Sequence, residues 1–524
     1  MAGLILMILA VVIALGLFGF GIFRVVKLVK SPTPRANNYP LETRRFIYLS
    51  IATSVATLLI FVFLSIYHKY PLNAGDWAYL IFGSLLFGVG LPSGFYAFVL
   101  HYYGKEIPEQ LNKWLFRSIF FATASILIGL WFITNGIADY IDYPLTNGVG
   151  AAGFLYPGQT ASGFKIAWYA LCILSGAVLV YVICDHRFYV EYGKHGILES
   201  TFFVAFPAGI IGARLGYVIG EWNKIPESGQ SFAQRVAAGQ WWAPIAIWEG
   251  GLTIISGALV GIIIGVLWFI WRNKKYSIWL AVDIIVPCIL IAQGIGRWGN
   301  FFNAEVHGNP VLASNWWVLP KIVLNNVAYS EFAGKADPGM IYLPLFYIEF
   351  LTNFIGYFFI RFVLGKAMRK YVELGDLAFS YIVWYGLTRV AMEPLRHEHY
   401  NMGQDGYWSW FWSIIFVLVG TLLIFANHLV RYLIELKKGE KKFKKMSVTW
   451  TLFVATFTGV LSVGLIIIGA IFMGKNVRSQ MIQFDPYNVS LIMLVLGLSL
   501  LFLFGCVVLY LIRGIKKERL ELKK

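Results

Sequence analysis

Long runs of hydrophobic residues alternate with short polar segments along most of the chain. A helix crosses the hydrocarbon core of a bilayer with about 20 mainly apolar residues. When each run of suitable length is counted as one span, the pattern predicts about thirteen membrane helices. They lie near residues 3–23, 46–67, 77–101, 116–137, 165–184, 199–220, 243–270, 277–295, 341–363, 376–393, 408–430, 449–473 and 487–512.

The composition agrees with this pattern. Hydrophobic residues make up 58% of the chain and charged residues only 13%, whereas an ordinary soluble domain has about 25% charged residues. The fold class predicted is an all-α integral membrane protein. The first run is followed by basic residues and by no small-residue cleavage site, so we expect a retained anchor rather than a cleaved signal peptide.

Basic residues outnumber acidic ones, 43 to 27, which gives a net charge of +16. In a soluble domain this excess would suggest a nucleic-acid partner. Here most Lys and Arg residues fall in loops on one side of the membrane if the spans alternate. The positive-inside rule then predicts an N-terminus outside and a C-terminus inside, and we expect no nucleic-acid partner.

The spans form three blocks. Residues 1–155 hold four, residues 156–436 hold seven, and residues 437–524 hold two. Ionisable residues at membrane depth are functional candidates, and they concentrate in the middle block, where we expect the function to lie. We also expect non-helical structure in the long outer loop near 296–340. The four cysteines show no metal-ligand spacing, so no metal or cofactor is expected.

The stretch 296–308 reads Gly-Arg-Trp-Gly-Asn-Phe-Phe-Asn-Ala-Glu-Val-His-Gly and directly follows the span that ends near 295. Arg297 and Asn300 are three residues apart and share a helical face, while the glycines allow a ligand to approach the backbone. An arginine fork among amides suits an oxyanion such as a phosphodiester. A helix-terminus cap in a re-entrant loop is an equally good interpretation of these residues alone.

A second polar group lies in the segment 384–396. At about 100° per residue, one helical stripe carries Tyr385, Arg389, Glu393 and Arg396. Pro394 makes Arg396 the least certain member. The stripe either forms part of a site or pairs structurally with another helix, since Arg/Glu pairs at this spacing also stabilise bundles.

Three further features stand in the middle block. Arg214 fits either a structural ion pair or a headgroup contact, and Glu249 and Glu349 are natural acidic partners for the arginines. Gly250 and Gly251 suit tight helix packing or substrate approach. Trp168 and Tyr169 have the character of an interfacial aromatic pair.

Taken together, these residues resemble the bacterial phosphatidylglycerol–prolipoprotein diacylglyceryl transferases. The stretch 296–308 matches every fixed position of that family's signature, Gly-Arg-x-Gly-Asn-Phe-x-Asn-x-Glu-x-x-Gly. The resemblance continues through Trp168-Tyr169, the segments 209–214 and 248–251, and the stripe that begins at Tyr385. It covers about 160–436 and implies a seven-span catalytic core with additional helices at both ends.

The resemblance implies transfer of the diacylglyceryl group of phosphatidylglycerol to the lipobox cysteine thiol of a prolipoprotein signal peptide, with release of glycerol 1-phosphate. The setting implied is the bacterial plasma membrane, with the active site facing the outer leaflet. Arg297 and Arg389 would clamp the phosphate, and Tyr169 and Tyr385 would line the site. The other residues implied in substrate binding are Asn300, Asn303, Glu305, Gly308, Arg214, Glu393, Arg396, Gly250 and Gly251, of which Glu305 and Glu393 would orient the arginines.

One position departs from the family. Many members carry a histidine, proposed as the base for the cysteine thiol, where this chain has Ile255. His307, His397 and His399 are possible substitutes, or the field of the arginines lowers the thiol pKa without a dedicated base. Two rival functions also fit the residues, a flippase for anionic lipids and a non-catalytic scaffold that binds lipoproteins. Release of glycerol phosphate distinguishes the transferase from both.

Overall fold

The structure is a computed structural model. It describes residues 50–59, 72–103, 109–140, 154–156, 166–194, 196–223, 230–246, 254–330, 333–369, 371–397, 407–438, 448–475 and 486–521. The predicted span near 3–23 lies outside the described residues, as do Glu249, Gly250, Gly251 and His399.

Helices dominate the described residues. They are α1 (Ser50–Leu59), α2 (Ala74–Tyr103), α3 (Glu109–Ile137), α4 (Trp168–Tyr192), α5 (Glu199–Glu221), α6 (Phe232–Ala237), α7 (Ile254–Arg272), α8 (Ile278–Asn303), α9 (Lys321–Asn326), α10 (Leu345–Phe358), α11 (Asp376–Met392), α12 (Tyr407–Lys438), α13 (Val448–Lys475) and α14 (Pro486–Glu521). A π-helix, Phe359–Ala367, continues α10, and a 3₁₀ turn, Glu393–Leu395, continues α11.

Among the described residues, eight helices are long and apolar enough to cross a membrane. Three shorter apolar helices cover Ser50–Leu59, Ala124–Ile137 and Ser256–Arg272. The all-α, multi-pass membrane fold is therefore confirmed, while the number thirteen and the orientation stay predictions. Several helices extend beyond the predicted ends of their spans: α8, for example, continues past 295 to Asn303, and α4 continues past 184 to Tyr192.

Short strands lie mainly in the segment between α8 and α10, where the sequence predicts non-helical structure. Strand β3 (Pro310–Leu312) pairs antiparallel with β6 (Met340–Tyr342), and β4 (Tyr329–Ser330) pairs with β5 (Gly334–Lys335). The other pair, β1 (Phe154–Tyr156) with β2 (Ile166–Ala167), precedes α4.

The chain divides into two compact units. The first unit contains residues 1–153, 301–305 and 310–343, and the second contains residues 154–300, 306–309 and 344–524. In the first unit, the loop after α8 is held to α3 by hydrogen bonds. The indole of Trp131 donates to the carbonyl of Val318 at 3.0 Å, and Asn135 accepts from the backbone N–H of Lys321 at 3.2 Å.

Close helix packing in the second unit depends on small residues. A Cβ on Gly257 of α7 would lie 2.9 Å from the carbonyl oxygen of Gly209 on α5. A Cβ on Gly386 of α11 would lie 2.7 Å from the carbonyl oxygen of Ser413 on α12. Small residues let membrane helices approach closely enough for their backbones to touch, so these glycines set the distances between their helices.

The core of the second unit forms where α4, α8 and α10 meet, and aromatic and aliphatic side chains fill it. Cys184 and Cys288 are buried there as free thiols, and Cys506 is a buried free thiol of α14. Cys172 is half-buried. These positions agree with the interpretation of the cysteines as packing residues.

A buried carboxylate on α8 fixes the start of α11. Asp283 accepts hydrogen bonds from the backbone N–H groups of Gly375, at 2.7 Å, and Ala378, at 3.0 Å. The first N–H groups of a helix have no partner within the helix, and here a neighbouring span supplies one. Asp376 in turn contacts His428 and Asn427 of α12, at 2.7 Å and 2.8 Å. Three helices are therefore tied together at one end.

We expect Asp283→Ala to lower the free energy of unfolding by about 2–4 kcal/mol, because two buried N–H groups lose a charged acceptor. Thermal unfolding of the detergent-solubilised protein measures this loss. Asp139→Ala is the matched control: its carboxylate is 54% exposed and pairs with Lys321 at 3.5 Å, an interaction worth about 0–1 kcal/mol. Equal melting temperatures for the two variants would contradict the capping role of Asp283.

Candidate functional site

The signature stretch begins inside a helix. Residues 296–303 form the last two turns of α8, so Arg297 and Asn300 lie on one face, as their spacing predicts. The guanidinium of Arg297 donates to the side-chain oxygen of Asn300 at 3.4 Å. Asn300 is almost fully buried, whereas the side chain of Arg297 is 23% exposed. Asn300 thus holds one terminal nitrogen of Arg297, whose side chain remains partly accessible.

Glu349 of α10 joins the two arginine motifs. Its carboxylate forms an ion pair with Arg297 of α8 and contacts Arg389 at 3.0 Å and Arg396 at 3.5 Å. Only 6% of its side chain is exposed. The sequence indicates Glu349 as a possible partner of the arginines, but it does not predict that one carboxylate contacts all three. An acidic residue at membrane depth is the signal that points to it.

Glu393 provides a second carboxylate within the same group. It forms an ion pair with Arg389 one helical turn before it, and it lies 3.7 Å from Arg396. Three arginines and two glutamates, here called the arginine cluster (Arg297, Glu349, Arg389, Glu393 and Arg396), therefore carry a formal charge of +1. Of the predicted stripe, Arg389, Glu393 and Arg396 are thus in contact, although α11 ends at Met392 and the last two residues lie beyond it.

A strained turn follows α8. Ala304 and Val306 have φ values of 53° and 55°, a left-handed conformation that is rare for residues other than glycine and especially for a β-branched one. Beyond it, Gly308 forms a β-bridge with Arg396, and the N–H of His397 donates to the carbonyl of His307 at 3.1 Å. The turn thus brings the end of the signature against the end of the α11 segment.

His307 is buried next to the backbone of Arg396 and His397. Its Nδ1 lies 3.1 Å from the carbonyl oxygen of Gly308, so Nδ1–H is the donor and the neutral ring keeps its lone pair on Nε2. The ring of His397 lies 5.9 Å away between centroids. Burial is the main cause that lowers the pKa of His307 to about 4, and His397 lowers it further. His307 is therefore neutral at pH 7.

The two tyrosines predicted to line the site lie on α4 and α11. Tyr169, in the first turn of α4, packs so closely on Gly299 that a Cβ at that position would overlap its ring. Tyr385 stacks on Tyr381 at 6.2 Å, and Tyr381 accepts a hydrogen bond from Gln293 of α8 at 2.9 Å. Gln293 is not predicted as a site residue, and its amide is the one polar side chain between Asp283 and Arg297 on α8.

Three other residues predicted to bind substrate are Arg214, Asn303 and Glu305. Arg214 is buried and donates to the carbonyls of Pro244, at 2.9 Å, and Ala243, at 2.8 Å, and its role in substrate binding stays a prediction. Asn303 and Glu305 belong to the first unit, where Asn303 donates to Glu305 at 3.0 Å. Their roles in substrate binding stay predictions.

The geometry of the arginine cluster is suited to binding an anion such as a phosphate group. Guanidinium groups form charge-assisted hydrogen bonds with phosphate oxygens, and the two carboxylates here keep the arginines oriented while leaving one positive charge in excess. In the part of the chain that the structure describes, no group of three or more His, Cys, Asp or Glu residues could hold a metal ion.

Known proteins are similar to the part of the chain that contains the arginine cluster. A family model described as prolipoprotein diacylglyceryl transferase matches residues 159–426. A phosphatidylglycerol–prolipoprotein diacylglyceryl transferase from Malacoplasma penetrans is 31% identical over 290 residues, which are 52% of this chain and 76% of that protein. The same-named protein from Halalkalibacterium halodurans is 34% identical over 272 residues, 50% of this chain and 82% of the relative.

A third relative of that name, from Streptococcus agalactiae, is 32% identical over 261 residues, 50% of this chain and 91% of the relative. All three matches cover more than three quarters of the relative, so the similarity extends well beyond a single motif. The matched residues 159–426 include the signature stretch 296–308, Glu349 and the segment 384–396. This chain belongs to the prolipoprotein diacylglyceryl transferase family.

Proposed function

We propose that this protein transfers the diacylglyceryl group of phosphatidylglycerol to the lipobox cysteine thiol of prolipoproteins. The thiolate sulfur attacks the glycerol carbon that bears the phosphate, a C–S bond forms, and the C–O bond breaks to release glycerol 1-phosphate. The observation that carries the proposal is the buried arginine cluster, in which Glu349 binds arginines from both family motifs.

The arginine cluster suits a phosphate leaving group. Negative charge grows on the phosphate as the C–O bond breaks, and preorganised donors lower the barrier if they point to that charge. Arg297 is the more accessible arginine, at 23% exposure against 13% for Arg389. We assign the phosphate contacts to these two. Asn300 and Gly308 add a hydrogen-bond partner and open space, and Tyr169 and Tyr385 line the site.

The thiol proton needs an acceptor or a stabilising field. A base is most effective when its pKa is close to the working pH, and His307, with its pKa near 4, is a weak base in the free protein. A bound anionic phosphate favours the charged imidazolium and raises that pKa. We therefore assign the proton to Nε2 of His307 only once the donor lipid is bound.

We also propose the complete membrane arrangement. It has thirteen spans, the N-terminus outside and the C-terminus inside, in the bacterial plasma membrane with the arginine cluster facing the outer leaflet. The distribution of Lys and Arg supports this orientation. The matched residues 159–426 fall inside the middle block, 156–436, which supports a catalytic core with extensions at 1–155 and 437–524.

Arg389→Ala and Arg297→Ala should each lower the rate of transfer by about 1,000-fold, since each removes a donor to the developing charge. The assay uses nanodiscs with phosphatidylglycerol and a lipobox peptide and follows the peptide mass together with free glycerol phosphate. Arg272→Ala, at the exposed end of α7, is the matched control and should retain the wild-type rate. Lipid binding without either product in the folded wild-type protein would overturn the proposed function.

Glu349→Gln should lower kcat by about 100-fold, because the arginines lose the carboxylate that orients them and small misplacements are costly. The KM for phosphatidylglycerol should not rise, since the cluster gains a positive charge. Glu191→Gln, on the exposed surface of α4, is the control. A raised KM with an unchanged kcat would mean that Glu349 does not position the arginines.

Because His307 must be neutral in the free protein, kcat/KM should decrease on the acid side near pH 4 rather than near the ordinary histidine pKa of about 6.5.

The free energy of unfolding should also depend on pH between 6.5 and 4. The folded pKa is depressed, so the unfolded chain binds more protons between pH 6.5 and 4, and the free energy of unfolding decreases as the pH falls through that range.

Because the pKa of His307 is lowered from 6.5 to about 4, the free energy of unfolding should fall by up to about 3 kcal/mol as the pH decreases through this range. The variant His307→Gln should lack this pH dependence, and unfolding of both proteins at a series of pH values measures the difference. Parallel curves for the two proteins would show that His307 is not the group responsible.

A further inference from the structure

A cavity of about 230 Å³ lies in the second unit between α11, α12 and α14. Two of these helices belong to the matched part of the chain, and α14 belongs to the C-terminal extension. Every residue around the cavity, here called the aliphatic pocket, is aliphatic. The residues are Leu387, Val390 and Ala391 of α11, Ile414 and Val417 of α12, and Ile492, Val495 and Leu496 of α14.

The aliphatic pocket has a buried floor and an exposed side. Ile414 and Val417 are at most 4% exposed, and Val390 and Val495 are each 8% exposed. Leu387 is 38% exposed and Ala391 is also exposed. The pocket therefore opens beside Leu387 and Ala391 of α11.

Local packing explains why the helices leave this space. At Gly386, α11 and α12 are in backbone contact, and the indole of Trp410 holds the carbonyl of Val390 at 3.2 Å. The helices are therefore fixed at this level. Ala391 has only a methyl group, so it cannot fill the gap that α14 encloses from the third side.

The depth of the aliphatic pocket identifies the chemistry of its occupant. Ile414 lies one to two turns inside the membrane span 409–437, and Ile492 lies about one turn inside the span 488–512. An apolar cavity excludes water and takes up apolar ligands. At this depth the surrounding medium is the acyl chains of lipids. We propose that the aliphatic pocket binds one acyl chain of a membrane phospholipid.

This lipid is distinct from the donor at the arginine cluster. At about 100° per residue, Leu387, Val390 and Ala391 form a stripe centred about 150° around α11 from Arg389. The bound chain therefore packs behind the helix that carries the arginines. It fills the space between the catalytic core and α14, and in this way it couples the C-terminal extension to α11.

Photo-crosslinking of the full-length protein tests the proposal without relying on turnover. The protein is reconstituted in phosphatidylglycerol nanodiscs with a phosphatidylcholine that carries a diazirine in one acyl chain. After irradiation and digestion, mass spectrometry should find peptides with residues 387–391 and 492–496 labelled more strongly than residues 453–463 of α13. The α13 segment carries exposed apolar side chains and reports contact with bulk lipid.

Two variants that fill the aliphatic pocket and one control variant test whether the excess label comes from a lipid bound in the pocket. Leu496→Trp fills the aliphatic pocket from α14 and Ala391→Phe fills it from α11, so each should lose the excess label on residues 387–391. Leu498→Trp adds the same side chain on the exposed face of α14 and should retain it. Because the filling side chains come from different helices, misfolding of one variant leaves the other as the test.

The readout separates this inference from the proposed function, because labelling does not need a lipobox peptide. Equal labelling of the pocket peptides and the α13 segment in the wild-type protein would overturn the proposal. So would an equal loss of label in Leu496→Trp and Leu498→Trp. Labelling of residues 387–391 by a photoreactive lipobox peptide in place of the lipid would assign the pocket to the protein substrate and also overturn it.

Discussion

A single carboxylate organises the arginine cluster of this protein. Glu349 lies among Arg297, Arg389 and Arg396, which come from different segments of the chain and would repel one another without it. A charged group is costly at membrane depth unless it is paired. The pairing therefore has two effects that cannot be separated: it permits three arginines inside the bundle, and it fixes where their donor groups point.

The surrounding framework keeps these donors at a fixed spacing. Gln293 and Asp283 of α8 bind Tyr381 and the start of α11, so the two helices that carry the arginines are connected along their length. The strained turn at Val306 and the bridge between Gly308 and Arg396 connect them again beyond their ends. Preorganisation of this kind is what an electrostatic site requires, since donors that must first reorient contribute less.

Much of this arrangement could be predicted from sequence, and the exceptions have physical causes. Hydrophobic runs identify the helices because a span must be apolar, and the 3.6-residue period places Arg389 and Glu393 on one face. The sequence predicts that the span ends near 295 because the polar residues after it resemble a loop. In the structure Arg297 donates a hydrogen bond to Asn300 within α8, so the helix continues. Contacts between distant segments, such as Arg297 with Glu349, leave no local pattern.

The charge of the arginine cluster bears on the end of the proposed reaction. A phosphodiester such as phosphatidylglycerol carries one negative charge, which the single excess positive charge of the cluster balances. The phosphomonoester that leaves carries about −1.5 to −2 at neutral pH. The cluster neutralises only part of that charge, and water hydrates the remainder better than a partly buried site does. The same two glutamates that orient the arginines therefore favour dissociation of the product over its retention.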